Sequence, residues 1–480
     1  MTRKVLLLDV VGLTADALRH MPRLSRMASA GSRAELGTVL PALTCSVQST
    51  VLTGRMPAEH GIVGNGWYLR GLGDVLLWRQ HNRLVEGEKL WETARHRADG
   101  DYRSANLGWW YAMGASTDLT VTPRPIYHAD GRKSPDFYAR PPGLHDELRA
   151  ELGEFPLFQY WGPTASIRST RWIVDATRRV LAGPEAPELT MAYLPHLDYD
   201  LQRFGPDAPA AARAAADLDA AMVPLLDQAE AQGVTVVALA EYGIAPAERP
   251  VDVNRALRRA GLLEVHEQQG REQLDPWTSR AFAVADHQVA HVYVGDPADV
   301  PRVAALLRSL DGVDEVLDRE AQARYGLDHA RSGELVAVAE PRAWFTYYFW
   351  LDDDRAPEYA RGVDIHRKPG YDPAELFFDP ADRLAKAKAA GDLVRKALGL
   401  RYAMTTVPLD PSCVRGTHGR LPDSAADTPL ILSSDPDLLD GGPDRVHATE
   451  VRDLVLRHQG LGAPAAPQRA SASRDRVAPR

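Results

Sequence analysis

Cysteine is nearly absent, with only Cys45 and Cys413 in 480 residues. Two thiols cannot build a disulfide framework, so a reducing cytoplasm is the simpler setting. Long apolar runs are also missing. No stretch approaches the ~18 residues that a membrane span needs, and membrane insertion is not expected. The N-terminus, Met1-Thr2-Arg3-Lys4, is followed by a short apolar run that Asp9 interrupts. That run is too short for a signal peptide and suits a first strand. A basic excess is missing too. The net charge of −9 excludes the field that would attract a nucleic-acid polymer or an anionic membrane surface. No internal repeat is visible.

What remains is an ordinary globular composition, 45% hydrophobic and 25% charged, in a chain long enough for a large core. Apolar runs at residues 5–8, 189–194, 234–239, 291–294 and 334–338 alternate with helix-length segments such as 208–232 and 382–398. This alternation predicts an α/β fold with a central, mostly parallel sheet flanked by helices on both faces. Such sheets bind ligands beyond the carboxyl ends of their strands. Asp9, Asp198 and Glu241 each follow one of these runs. Residues ~65–165, rich in Trp, Tyr, Pro and Arg, read as a lid-like insertion, and ~250–330 as a cap-like one. Both would sit within a catalytic domain spanning 1–459. The Ala/Pro/Ser/Arg-rich stretch 460–480 reads as a disordered tail.

The densest chemical signal is Pro41-Ala42-Leu43-Thr44-Cys45-Ser46, followed by Leu52-Thr53-Gly54-Arg55-Met56-Pro57-Ala58-Glu59-His60-Gly61-Ile62-Val63. It puts the Thr44 hydroxyl at the start of a helix. Unpaired N–H groups and partial positive charge there favour an alkoxide, and then a phosphate bound to it. A carboxylate at a strand end, Asp9, and a hydroxyl at a helix start can share one metal ion. Together they read as a metal-activated nucleophile.

With Asp9, this block resembles the alkaline phosphatase superfamily. The nearest branch is the nucleotide pyrophosphatase/phosphodiesterase type, with phosphonoacetate hydrolase as a relative. The resemblance is dense over residues 5–65 and recurs as islands to about 420. It implies an alkaline-phosphatase-like fold and a metal-dependent phosphoric ester hydrolase working through phospho-Thr44. It also implies two divalent metal ions and a small phosphorylated substrate. In Pro195-His196-Leu197-Asp198-Tyr199-Asp200-Leu201-Gln202-Arg203-Phe204-Gly205-Pro206, the family's Asp-x-x-x-His-x-x-Gly-Pro makes Asp198 the acid. Its histidine position holds Gln202, with His196 and Asp200 close by. Val236-Val237-Ala238-Leu239-Ala240-Glu241-Tyr242-Gly243 matches a strand followed by Ser-Asp-His-Gly, with Glu241 for Asp and Tyr242 for His. Asp286-His287 is expected to turn back and restore an imidazole. Arg415-Gly416-Thr417-His418-Gly419 resembles the family's late His-Gly.

The resemblance therefore implies a first metal on Asp9, Thr44 and Glu241 with His287 or Tyr242. It implies a second on Asp198, Gln202 or Asp200, and His418. Oxygen-rich ligands shift the expectation from strict Zn²⁺ toward Mn²⁺, Mg²⁺ or Fe. Gln48, Asn65, Arg367 and Lys368 are candidates for phosphate contacts. Asp364 and His366 read as alternating on one strand face. Val47 lacks the donor that the resemblance places there, so monoester, diester, pyrophosphate and phosphonate bonds stay open. Transfer to an organic acceptor, phosphonate hydrolysis and a non-catalytic phospho-ligand binder remain as alternatives. His60 reads as a brace, Trp109-Trp110-Tyr111 as core rather than a base-stacking platform, and Cys413 as a passenger; Cys45 has no base nearby that would make it an alternative nucleophile.

Overall fold

Asp9 sits inside one of the most apolar strands of the chain. That strand, β1 (Val5–Val10), is buried along its whole length, as befits a strand covered on both faces. The computed structural model describes residues 2–129, 132–398, 404–439 and 444–462. The expected tail from 460 therefore lies almost wholly outside the described residues. Six strands follow β1 in its sheet half of the chain: β2 (Ser32–Gly37), β3 (Ser104–Leu107), β4 (Leu119–Pro123), β5 (Phe137–Arg140), β6 (Leu189–Leu194) and β7 (Thr235–Leu239). Next come β8 (Ala281–Asp286), β9 (Val289–Val294), β10 (Val313–Leu317) and β11 (Leu335–Ala339). The last are β12 (Leu430–Ser433) and β13 (Arg445–His447).

One sheet has the order β13-β2-β12-β7-β1-β6-β3-β4-β5. Its middle, β7, β1, β6, β3 and β4, is parallel. β12 and β5 run against their neighbours, so the sheet is mixed but mostly parallel. Helices α1 (Thr44–Thr53), α2 (Ile167–Ala182), α3 (His196–Phe204) and α4 (Pro209–Ala231) precede α5 (Ala385–Ala397) in the chain. α2 packs on β6 and α4, and α3 packs on α4. In register, Asp9 lies opposite Tyr193 of β6 and Leu239 of β7. The carboxyl ends of three adjacent strands thus reach one point. Asp198 follows in the first turn of α3, and Glu241 lies just past β7. Among the described residues no helix is long and apolar enough to cross a membrane.

The runs at 291–294 and 334–338 are strands, but not of this sheet. They fall in β9 and β11 of a separate antiparallel sheet ordered β8-β9-β11-β10. β8, β9 and β11 are buried at every position. A strand buried on both faces shows no polar alternation, whichever way its neighbours run. Residues 65–165 also do more than wall a cleft, because they supply β3, β4 and β5 to the main sheet. Asp364 and His366 do not alternate on a strand. The chain turns there, with Arg367 N–H donating to Asp364 O at 3.2 Å.

Gly243 fixes the segment that carries Glu241 and Tyr242. A β-carbon there would stand 2.1 Å from Asp427 O, a backbone atom. Gly243→Ala should therefore destabilise the fold by about 1–3 kcal/mol, the usual range for overpacking. A lowered urea-unfolding midpoint at unchanged slope is the expected result.

Candidate active site

α1 begins at Thr44, and Leu43 before it offers no capping side chain. The first-turn N–H groups are left to other partners. Cys45 N–H goes to Asn65 Oδ1 at 3.0 Å. The loop before the helix is pinned twice to the His418 segment: Ala42 N–H donates to Gly419 O at 2.8 Å, and His418 Nδ1 donates to Ala42 O at 2.9 Å. One helical turn after Thr44, Gln48 Nε2 donates to Asp9 Oδ2 at 2.8 Å. Gln48 Oε1 accepts Trp110 N–H at 2.8 Å. The Thr44 hydroxyl and the Tyr242 hydroxyl lie 3.0 Å apart and share one hydrogen bond.

Four carboxyls collect around this point. Asp9, Asp198, Glu241 and Asp286 are all buried. Asp9 Oδ1, Asp198 Oδ1 and both oxygens of Glu241 have no hydrogen-bond partner among the described residues. Burial pushes Asp9 and Asp198 up to about 7. It raises Glu241 well above the carboxylate range, and the nearby Asp9 charge adds to that rise. Asp286 is also pushed up to about 7 by burial, against the Asn65 amide groups that hold it. None of the four carries an ion pair to Lys or Arg in the described residues; Asp198 and Asp286 have only His418 and His287. Leaving such charges unpaired costs several kcal/mol each.

A divalent cation would supply the missing charge, and the donors suit one. Asp9, Thr44 and Glu241 offer oxygen alone, the chemistry of a hard cation. Asp198 and His418 offer oxygen and nitrogen. No set of three or more His, Cys, Asp or Glu side chains stands as a ready metal cage among the described residues. The rings of Tyr242, His418, His287 and Tyr371 stack in that order. Their centroids are 3.5, 3.7 and 3.8 Å apart. A surface cavity touches Tyr242 and His418 and is also lined by Thr38, Gln288 and Arg420.

The other expected residues divide clearly. Gln202 is buried near Asp198, but its Oε1 accepts the Tyr371 hydroxyl at 3.1 Å. Asp200 pairs instead with Arg203 at 3.0 Å. Gln48 and Asn65 spend their amides on Asp9, Trp110, Cys45 and Asp286, and so hold the site together. Lys368 does not reach for phosphate. Burial works against its charge, but Asp372 and Glu375, each at 2.7 Å, outweigh it and keep the ammonium protonated. Arg367 leaves 74% of its side chain exposed, beside Asp364. His291 is held by Val63 O and Gly333 N–H. Tyr371 is the contact that sequence reasoning passes over. Its signal was its place within the charged 363–373 block, where the cations drew attention first.

Two supports of the site can be tested by stability. Lys368→Met would strand Asp372 and Glu375, and should cost about 3–5 kcal/mol in urea unfolding. His60 braces α1: its Nδ1 accepts Ile62 N–H, its Nε2 bonds Thr50 Oγ1, and Thr50 in turn donates to Ser46 O. Burial pushes His60 down from 6.5 to about 3. Between those values the unfolded chain binds a proton that the folded one does not, so this contribution to stability is lost as pH falls. His60→Asn keeps an acceptor for Ile62 and cannot titrate. Its unfolding free energy should fall less steeply than the parent's between about pH 6.5 and 4.

In overall structure the chain is similar to murine ectonucleotide pyrophosphatase/phosphodiesterase 5 in an inactive form with AMP. The two share 14% identity, with a TM-score of 0.58 over 96% of each chain. It is similar also to phosphonoacetate hydrolase from Sinorhizobium meliloti 1021 in complex with phosphonoformate. That pair shares 16% identity and a TM-score of 0.60 over 95% of this chain and 96% of that one. At such identities the likeness is one of fold. No curated protein sequence matches the chain. The type I phosphodiesterase / nucleotide pyrophosphatase family model, however, matches residues 5–372, a span that holds Asp9, Thr44, Asp198 and Glu241, and the chain belongs to that family.

Proposed function

We propose that the protein hydrolyses phosphoric esters or anhydrides of small molecules, with Thr44 Oγ1 as nucleophile and divalent cations as cofactors. One observation carries this reading: a threonine hydroxyl at a helix start, beside buried carboxyls that no Lys or Arg neutralises among the described residues. Family membership supports phosphoester hydrolysis in general. The AMP and phosphonoformate bound by the structural neighbours support a small phosphorylated or phosphonylated substrate. The two unpaired cysteines support a reducing, cytoplasmic setting.

Asp9, Thr44 and Glu241 would hold one cation, and Asp198 with His418 another. Such cations lower the pKa of a bound hydroxyl and offset the negative charge that grows on the phosphoryl oxygens. The chain's own groups do the rest. Tyr242, kept neutral because burial pushes its phenol well up, fixes the direction of Thr44 Oγ1. Gln48 locks one oxygen of Asp9 and leaves the other free for the cation. The N-terminus of α1 favours the alkoxide and then the phosphoryl group bound to it. Thr44 Oγ1 releases its proton to solvent and forms a bond to phosphorus as the bond to the leaving oxygen breaks, and the leaving oxygen takes up a proton from solvent. Water then cleaves phospho-Thr44 and releases phosphate or its monoester.

Thr44→Ala should lose turnover of nitrophenyl phosphate esters by a factor on the order of 10⁴ or more, with unchanged circular dichroism. Acid-quenched parent enzyme should carry one phosphoryl group on the peptide that contains Thr44. A Thr44→Ala variant that keeps its turnover would sink the reading.

A further inference from the structure

A surface helix normally buries its large apolar side chains and shows its polar ones. α5 (Ala385–Ala397) does the reverse. Among its described side chains the buried ones are small, Ala385 and Ala389. Leu384, Val394 and Leu398 are instead 61%, 59% and 69% exposed. Helical hydrogen bonding reaches both ends of this set. Lys388 N–H donates to Leu384 O at 2.8 Å, and Leu398 N–H to Val394 O at 3.0 Å. Ala387 and Gly391 are also exposed. The five residues recur at alternating steps of three and four, which places them on one stripe of the helix. A β-carbon added at Gly391 would meet nothing within 4 Å, so no described residue covers the stripe there.

The border of the stripe is basic. Arg383, Lys386, Lys388 and Arg395 are all exposed. Lys388 pairs with Asp382 at 2.6 Å, and Lys386 Nζ stands 6.0 Å from the centre of the Phe378 ring. Residues 382–398 hold five Lys and Arg against two Asp, a local charge of +3 on a chain of net −9. The overall acidity that argues against an anionic surface is therefore reversed in this helix. A second copy of α5 is a poor partner. Lys388 and Arg395 follow directly on Ala387 and Val394, where like charges oppose the pairing of two helices. Ala387 and Gly391 also leave the middle of the stripe without side chains to interlock with a facing helix. Fluid acyl chains fill an uneven stripe, and anionic headgroups match its basic border. Long Lys and Arg side chains reach those headgroups while their stems stay in apolar surroundings.

We propose that α5 docks the protein on an anionic membrane surface, with Leu384, Val394 and Leu398 turned toward the acyl chains. The helix lies in the interface and does not cross it: it has 13 residues, and a span needs about 20. The proposal stands apart from the phosphoester reading, and either can fall without the other.

The test is co-sedimentation of the full chain with phosphatidylcholine vesicles, with and without an equal share of phosphatidylglycerol. At low salt the parent should bind the anionic vesicles at least ~10-fold more tightly than the neutral ones. Salt at ~0.15 M should weaken that binding by screening the charges. A Leu384→Ser, Val394→Ser double variant keeps the charge and should lose ~10-fold or more in affinity. Lys386→Gln with Lys388→Gln and Arg395→Gln keeps the stripe and should lose about as much. All these side chains are exposed, so circular dichroism and the urea midpoint should not move. In the parent, anionic vesicles should also slow amide hydrogen exchange across 385–397. Equal binding to the two kinds of vesicle, a serine variant that binds like the parent, or unslowed exchange in α5 overturns the proposal. A parent dimer in sedimentation velocity that the serine variant dissolves overturns it too, because the stripe is then an interface between copies.

Discussion

The site depends on one electrostatic constraint: Asp9, Asp198 and Glu241 are buried close together with no lysine or arginine partner among the described residues. The sheet imposes it. Parallel pairing of β7, β1 and β6 brings three strand ends together, and each end or the turn after it carries an acid. Burial then raises each carboxyl toward neutrality. A protein can meet this cost with protons or with cations. Only cations leave the acids ionised at neutral pH, and an ionised cluster is what a threonine needs if it is to be turned into a nucleophile.

The surroundings act to hold donors still rather than to neutralise them. Gln48 fixes one oxygen of Asp9 and leaves the other open. Ala42 O fixes one nitrogen of His418 and leaves the other open. Asp286 does the same for His287. In each case one end of a bifunctional group is anchored and the opposite end is free and buried. Random packing defects would not repeat that pattern, because an unpaired buried polar atom costs roughly 1–3 kcal/mol.

The parts legible in the sequence are those with a local signal. β1 shows as an apolar run closed by an acid, and the start of α1 shows as a hydroxyl within a long specific motif. The sheet to which a run belongs is not local information. The runs at 291–294 and 334–338 are as apolar as those of the parallel sheet, yet they pair antiparallel in a second sheet. Side-chain commitments are equally hidden. Lys368 looks like a phosphate-binding cation until Asp372 and Glu375 are seen to enclose it. Gln202 looks like a weak ligand until Tyr371, which lies 169 residues further on, takes its carbonyl.

Lys368 and the Thr44 site together separate structural from functional burial of charge. Both place acids out of water. Around Lys368 the chain supplies its own counter-charge, and Trp161 Nε1 and Asp364 N–H complete the hydrogen bonds of Glu375. That cluster is closed, and it anchors the segment that delivers Tyr371 to His287 and Gln202. Around Thr44 the acids are left open, although a lysine or arginine could have closed them at less cost in stability. One buried cluster neutralised by the chain beside another left open is what supports the proposal that the second takes a cation from outside. The open cluster lies against Thr44, the proposed nucleophile, and the closed one does not.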